Sequence, residues 1–316
     1  MEGLIGNTPM IKINYEIEGV IKSVYVKLEY YNLTGSIKDR IAYYIISKAK
    51  VNEMLRNGMP IIEATSGNTG ISFAAIGAYF KHDVHIFMPD WVSVERKKIM
   101  EMYGAHVHLI SKEEGGFLKC IEEADELASK LNGFRPNQFS NYDNAMAHFE
   151  TTGKEIIDKL PDVKYFVSGI GTGGTLMGIG KRLQEVGTKT YAFEPDTLPV
   201  ITKGIKTGEH KIEGIGDEFI PEIVDLNFIE DIFLVNDLDS VNMARKLSNG
   251  LGLGVGISSG ANFLAAILLN EKFNDKIVTV FPDDNKKYLT TLLSEKIDNN
   301  FNFVSNKIKL INYEIV

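Results

Sequence analysis

Two glycine-rich loops and one lysine carry the residue types best suited to chemistry. In "VSGIGTGGTLMGIG" (167–180), Gly169, Gly171 and Gly174 fit G-x-G-x-x-G, the turn that seats a dinucleotide. The same stretch holds a tighter pattern, Gly171-Thr172-Gly173-Gly174-Thr175. There the glycines let the backbone close round one tetrahedral oxyanion, and two hydroxyls add donors. Glu194 lies 20 residues beyond Gly174, where a ribose-binding acid would fall. Taken alone, the stretch leaves both a hydride-transfer enzyme and a single-phosphate enzyme open.

The second loop, "TSGNTG" (65–70), places Thr65, Ser66, Asn68 and Thr69 at an expected helix start. The first helical N–H groups lack partners and the helix dipole favours negative charge, so this is a seat for a carboxylate or phosphate. An ordinary cap needs one such residue rather than four. Lys38 follows a Gly-Ser turn in "NLTGSIKDR" and begins a helical pattern. A cation is disfavoured there, which lowers the pKa of an amine suited to act as nucleophile or base. The lone cysteine, Cys120, falls in a helical pattern and reads as packing, and one cysteine cannot form an internal disulfide. His82, His85, His106, His108, His148 and His210 form no metal-binding motif, so no catalytic metal is expected.

Strand-like runs must position these loops. "PIIEAT", "DVHIFMP", "AHVHLI", "YFVSGI", "TYAFEP", "DIFLVN" and "KIVTVFP" alternate with helical stretches. This order predicts an α/β fold of mostly parallel sheets flanked by helices, with ligands at the carboxyl ends of the strands. Seven or more strands point to two domains, with "FSNYDNAMAHFETTG" (139–153) as one crossing between them. The tail at 301–316 alternates like an edge strand that covers a sheet edge or a partner subunit. A net charge of −8, without clustered Lys or Arg, argues against a nucleic-acid surface. No secretory signal or membrane-length apolar run is visible, so a cytoplasmic protein is expected.

"LIGNTPMIKIN", "NLTGSIKDR", "EATSGNTGIS", "NQFSN", "SGIGTGGTLMGIG", "HKIEGIGDEFIPEI", "VGISSGA" and "PDDNKKYLTT" occur in one order. In this the chain resembles the cysteine synthases (O-acetylserine sulfhydrylases), pyridoxal-phosphate enzymes of fold type II, a group that includes cystathionine β-synthase. The resemblance runs from about Ile5 to Thr291 and selects the single-phosphate reading of the first loop. It implies a smaller mobile domain at about 38–145 and a larger domain, 1–37 plus 146–316, that holds the cofactor phosphate.

By this resemblance Lys38 is the Schiff-base lysine and Gly171, Thr172, Gly173, Gly174 and Thr175 bind the phosphate of pyridoxal 5'-phosphate. Asn68 matches the residue facing the ring oxygen, and Ser258 the neutral partner of the pyridine nitrogen. Thr65, Ser66, Thr69 and Gln138 match the groups that hold the substrate α-carboxylate. The implied chemistry is β-replacement or β-elimination in cysteine metabolism through an aminoacrylate. Cysteine or O-acetylserine, with sulfide, are the implied small-molecule partners. The family forms homodimers and can dock serine acetyltransferase at its cleft, which makes both candidate partners. O-phosphoserine- or cystathionine-type replacement is the alternative chemistry, and the presence of Lys38 opposes a silent binding homologue.

The sequence departs from the family at three places. Leu33 replaces a proline in the lysine turn, a loss of rigidity. "PDDNKKYLTT" carries extra acidic groups. In "GIGDEF", Asp217 and Glu218 stand where small neutral residues are usual. Both carboxylates could point to solvent. If instead Asp217 faces the substrate β-carbon, it repels HS⁻ by roughly 3 kcal/mol at about 5 Å and an effective dielectric near 20. That is on the order of a hundredfold in rate. The same carboxylate would serve as a base for water or a thiol. The chain would then release hydrogen sulfide from L-cysteine, giving serine or a thioether such as lanthionine, rather than make cysteine.

Overall fold

The computed structural model describes residues 1, 3–295 and 302–316. Alternating apolar residues build an opening hairpin, Met10–Ile17 (β1) and Val20–Leu28 (β2), absent from the strand runs above. Its turn residues Glu18 and Gly19 have φ of 50° and 81°, the left-handed pair that matches the twist of the flanking strands.

The chain then enters a three-stranded parallel sheet of Ile61–Ala64 (β3), Val84–Pro89 (β4) and His106–Ile110 (β5), in that order. Helices Lys38–Val51 (α1), Asn68–Phe80 (α2) and Val94–Met102 (α3) cover one face, through Ile45, Ile46, Phe73 and Met100. Helix Gly116–Leu131 (α4) covers the other through Cys120, Ala124 and Ala128. Neighbouring strand residues therefore face opposite cores, Ile61 one and Ile62 the other.

The second sheet adds Tyr165–Gly169 (β6), Lys189–Pro195 (β7), Ile232–Val235 (β8), Ile277–Phe281 (β9) and Ile308–Ile315 (β10). Its order is β10-β1-β2-β9-β6-β7-β8. From β2 to β8 the strands are parallel, and the β10-β1-β2 end is antiparallel. On one face lie Asp143–Ala147 (α5), a π-helical turn at His148–Gly153, Lys154–Lys159 (α6) and Gly174–Gln184 (α7), packed through Ile156, Leu176, Ile179 and Leu183. After the short Val200–Lys203 (α8), helices Asp237–Leu251 (α9) and Ile257–Phe273 (α10) cover the opposite face. The β10 strand pairs with β1 from Ile308 to Ile315, so the tail covers a sheet edge; residue 301 of that stretch lies outside the described residues. Among the described residues no helix is long and apolar enough to cross a membrane.

A buried ion network fixes the start of α1 against the hairpin. Arg40 bonds the Glu29 carboxylate at 2.5 Å and 2.8 Å and the Glu155 carboxylate at 2.6 Å and 2.8 Å. Lys27 reaches Glu155 at 2.7 Å and the Thr8 carbonyl at 2.6 Å. Burial alone would raise the Glu29 pKa, but Arg40 outweighs it and holds the carboxyl at about 2. Removing one partner of such a network leaves an uncompensated charge. Arg40→Ala should therefore lose about 3–5 kcal/mol of stability, read as a lower urea midpoint.

Candidate active site

Four helices begin at one cavity. Lys38 is the first residue of α1 and Asn68 the first of α2. Gly174 is the first residue of α7, and Ser258 stands one residue inside α10. The cavity has a volume of about 930 Å³. Lys38, Thr65, Ser66, Asn68, Thr69, Gln138, Gly171, Thr172, Gly173, Thr175, Asp217 and Ser258 all line it. Gly174 does not. It lies behind the surface, where a Cβ would collide with Asn144 Oδ1.

Burial pushes the Lys38 amine down to about 8, against the upward pull of Asp217 and Asp283. The direction is the one expected from its helix start, but the leading cause is desolvation. Burial raises the Asp217 carboxyl to about 6, with Lys38 opposing and Glu218 reinforcing the shift. Asp217 and Lys38 thus influence each other through space. Glu218 also borders the cavity but is exposed.

The turn before Lys38 is clamped from two sides. Asp39 accepts from the Thr34 amide at 2.7 Å, from the Thr34 hydroxyl at 2.6 Å and from Ser72 at 2.7 Å. Lys287 donates to the Gly35 carbonyl at 3.0 Å and to Asp284 at 3.2 Å. The Ile37 amide bonds the Pro282 carbonyl at 2.8 Å. Gly35 has φ of +80°, and a Cβ there would lie 2.6 Å from Asp284. The additional acid in "PDDNKKYLTT" thus braces a turn that lacks proline.

The phosphate-type loop leaves β6 and enters α7. Gly173 has φ of +85°, and a Cβ on Gly171 would collide with the Gly214 carbonyl. The first α7 amides have no partner within the helix and face the loop. Two buried residues that motif reading missed support it from below. Asn144 donates to the Thr172 hydroxyl at 2.9 Å and the Gln138 carbonyl at 2.7 Å. His148 lies between the Thr175 hydroxyl at 3.3 Å and the Thr152 hydroxyl at 3.0 Å. Burial, aided by Lys38 and Arg40, pushes its imidazole down to about 3 and keeps it neutral. Both residues lie in the polar stretch read only as a crossing.

At the other loop, the Thr69 hydroxyl donates to Gln138 Oε1 at 2.7 Å, and Gln138 Nε2 donates to the Ala64 carbonyl at 2.9 Å. One Gln138 N–H remains for a ligand. Glu194 accepts from the Ile201 and Thr202 amides at 2.8 Å and 2.9 Å, so it caps the short α8 rather than offering its oxygens to a ribose. Cys120 is buried in the α4 packing face, and desolvation pushes its thiol up to about 12. Among the described residues, no three His, Cys, Asp or Glu side chains are arranged to hold a metal.

A phosphorylated aromatic aldehyde fits these features. The loop offers backbone donors in a cradle that a Cβ on Gly171 would fill, Lys38 offers an amine on the same cavity, and Asn68 offers a carboxamide N–H there. The comparisons agree. The family model for pyridoxal-phosphate dependent enzymes matches residues 1–283. Cysteine synthase B from Campylobacter jejuni is 40% identical over 293 residues, covering 91% of this chain and 96% of that protein. A hydrogen sulfide-producing enzyme from Fusobacterium nucleatum superposes with a TM-score of 0.95 at 46% identity, covering 100% of this chain and 98% of that one. An O-acetylserine dependent cystathionine β-synthase from Helicobacter pylori gives a TM-score of 0.85 at 33% identity, covering 92% and 97%. With nearly its whole length matched, the chain belongs to the family of pyridoxal-phosphate dependent enzymes.

Proposed function

We propose that this β-replacing and β-eliminating enzyme works outward on L-cysteine, releasing hydrogen sulfide and adding water at the β-carbon to give serine, or a second thiol to give a thioether. The carrying observation is Asp217, a carboxylate on the same cavity as Lys38 with its pKa raised to about 6. A base with that pKa is largely ionised at neutral pH and still able to accept a proton. Its charge also disfavours an incoming HS⁻. The hydrogen sulfide-producing relative supports this direction. Cysteine formation from O-acetylserine and sulfide is the second reading, favoured by the cysteine synthase relative.

Bound pyridoxal phosphate supplies the electron sink that acidifies the α-proton and lets the β-substituent leave. The residues of the chain do the positioning and the proton transfers. The loop at Gly171–Thr175 would hold the phosphate, the Asn68 carboxamide the ring oxygen and the Ser258 hydroxyl the pyridine nitrogen. Thr65, Ser66, Thr69 and Gln138 hold the α-carboxylate so that the α-proton points at Lys38 Nζ. Lys38, with its amine lowered to about 8, takes that proton. Asp217 takes the proton of the incoming water or thiol. In the same reading, segment 38–145 closes over the substrate and two copies of the chain form a homodimer, both on the strength of the family resemblance.

Asp217→Asn should lower sulfide release from cysteine by about a hundredfold, the low end of what a general base contributes. Cysteine formation from O-acetylserine and sulfide should hold or rise. Sulfide assay and mass identification of products check both directions; loss of neither or of both equally contradicts the assignment. In the unsubstituted enzyme, sulfide release should fall as the pH drops through about 6, because protonated Asp217 cannot act as a base. In a pH–rate profile Asp217→Asn should lack the step near 6 and keep the fall below about 8 that protonation of the Lys38 amine sets.

A further inference from the structure

We propose that Asp283 is a positioning residue that fixes which end of the Asn68 carboxamide meets the cofactor. Asp283 is fully buried, immediately beyond the β9 strand, and has no part in the proton transfers assigned to Lys38 and Asp217. A buried carboxylate is costly, so its contacts matter. Its Oδ2 accepts from Asn68 Nδ2 at 2.7 Å and from the Tyr288 hydroxyl at 2.8 Å. Its Oδ1 has no hydrogen-bond partner and faces Gly256, where a Cβ would collide with it. The Arg96 guanidinium lies 4.8 Å from the centre of the Tyr288 ring and covers it.

The location of Asp283 is as informative as its bonds. Its backbone bridges Ser36, two residues before Lys38, and its carbonyl accepts from the Gly256 amide at 3.0 Å, just before Ser258. One residue therefore touches the segments that lead into Lys38, Asn68 and Ser258.

Donor and acceptor chemistry, rather than shape, sets the orientation of Asn68. The two ends of a carboxamide are nearly the same shape, so packing alone does not choose between them. An ionised carboxylate only accepts, so it can pair only with the NH2 end. With Nδ2 held by Asp283, its remaining N–H is the donor left for an anionic ring oxygen, and Oδ1 is turned into a buried, unpartnered place. An amide at 283 has the same shape but could pair with Asn68 in either sense. Burial outweighs Lys287, Arg96 and the two donors and raises the Asp283 pKa, but both donors converge on Oδ2, the geometry of an acceptor.

This inference rests on the reading that Asn68 meets the cofactor, and the experiment separates the two. Pyridoxal phosphate is titrated by absorbance into apo-forms of the unsubstituted protein, Asp283→Asn and Asn68→Ala, and the apo-forms are melted. Asp283→Asn should bind the cofactor at least tenfold more weakly and change the ratio of its absorption bands. Its apo-form should unfold at the same or a higher temperature, since a buried charge is gone. Asn68→Ala should weaken binding by a similar or larger factor. Unchanged affinity and band ratio in Asp283→Asn alone, or an apo-form that unfolds several degrees lower, overturns the positioning role. Unchanged binding in Asn68→Ala overturns the contact between Asn68 and the cofactor, and the proposal with it.

Discussion

The starts of four helices, α1, α2, α7 and α10, meet at a single cavity, and this convergence sets the chemistry of the site. Each start brings the positive end of a dipole to the cavity, and those of α2, α7 and α10 add amides without a partner in the helix, whereas the first amides of α1 are bonded to Pro282, Ser36 and Ile37. One seat suits a phosphate and another a carboxylate. The same field, together with burial, works against a cation, and the amine placed there is Lys38. Its pKa of about 8 leaves roughly a tenth of it unprotonated at pH 7, far more than an ordinary lysine.

Carboxylates balance that field from two elements. Asp217 comes from the connection after α8 and Asp283 from the end of β9, and both draw the Lys38 pKa upward. Their packing differs. Asp217 borders the cavity, where a substrate can reach it, whereas Asp283 is sealed behind it. Position rather than residue type separates an acid open to the cavity from one closed off behind it. Asp284 shows a third use: paired with Lys287, it holds the Gly35 turn that delivers Lys38 to the cavity.

Much of this is legible in the sequence because the signals are local. A strand, a glycine-rich turn and a helix start announce both loops, and the alternation of such units gives the parallel sheets. The β1–β2 hairpin also has a local signal, the alternation in "MIKINYEI" before Glu-Gly, but it lies outside the strand–helix rhythm. Asn144 and His148 have none. Their importance comes from lying beneath a loop 28 and 27 residues away, a contact made by the π-helical turn and by α5 packing on α7. The direction in which Asp217 points is likewise a tertiary question, since no local pattern separates a cavity-facing acid from a solvated one. The cause of the Lys38 shift escapes a sequence reading for the same reason: a helix start is visible in sequence, while desolvation depends on everything that packs around it.

Every role proposed for the cavity depends on Lys38 being the amine that would hold the cofactor. Borohydride reduction of the holoenzyme, followed by protease digestion and mass spectrometry, tests it most directly. A single pyridoxyl-phosphate label is expected on the peptide containing Lys38. A label on any other lysine, or no label on fully loaded protein, would contradict it.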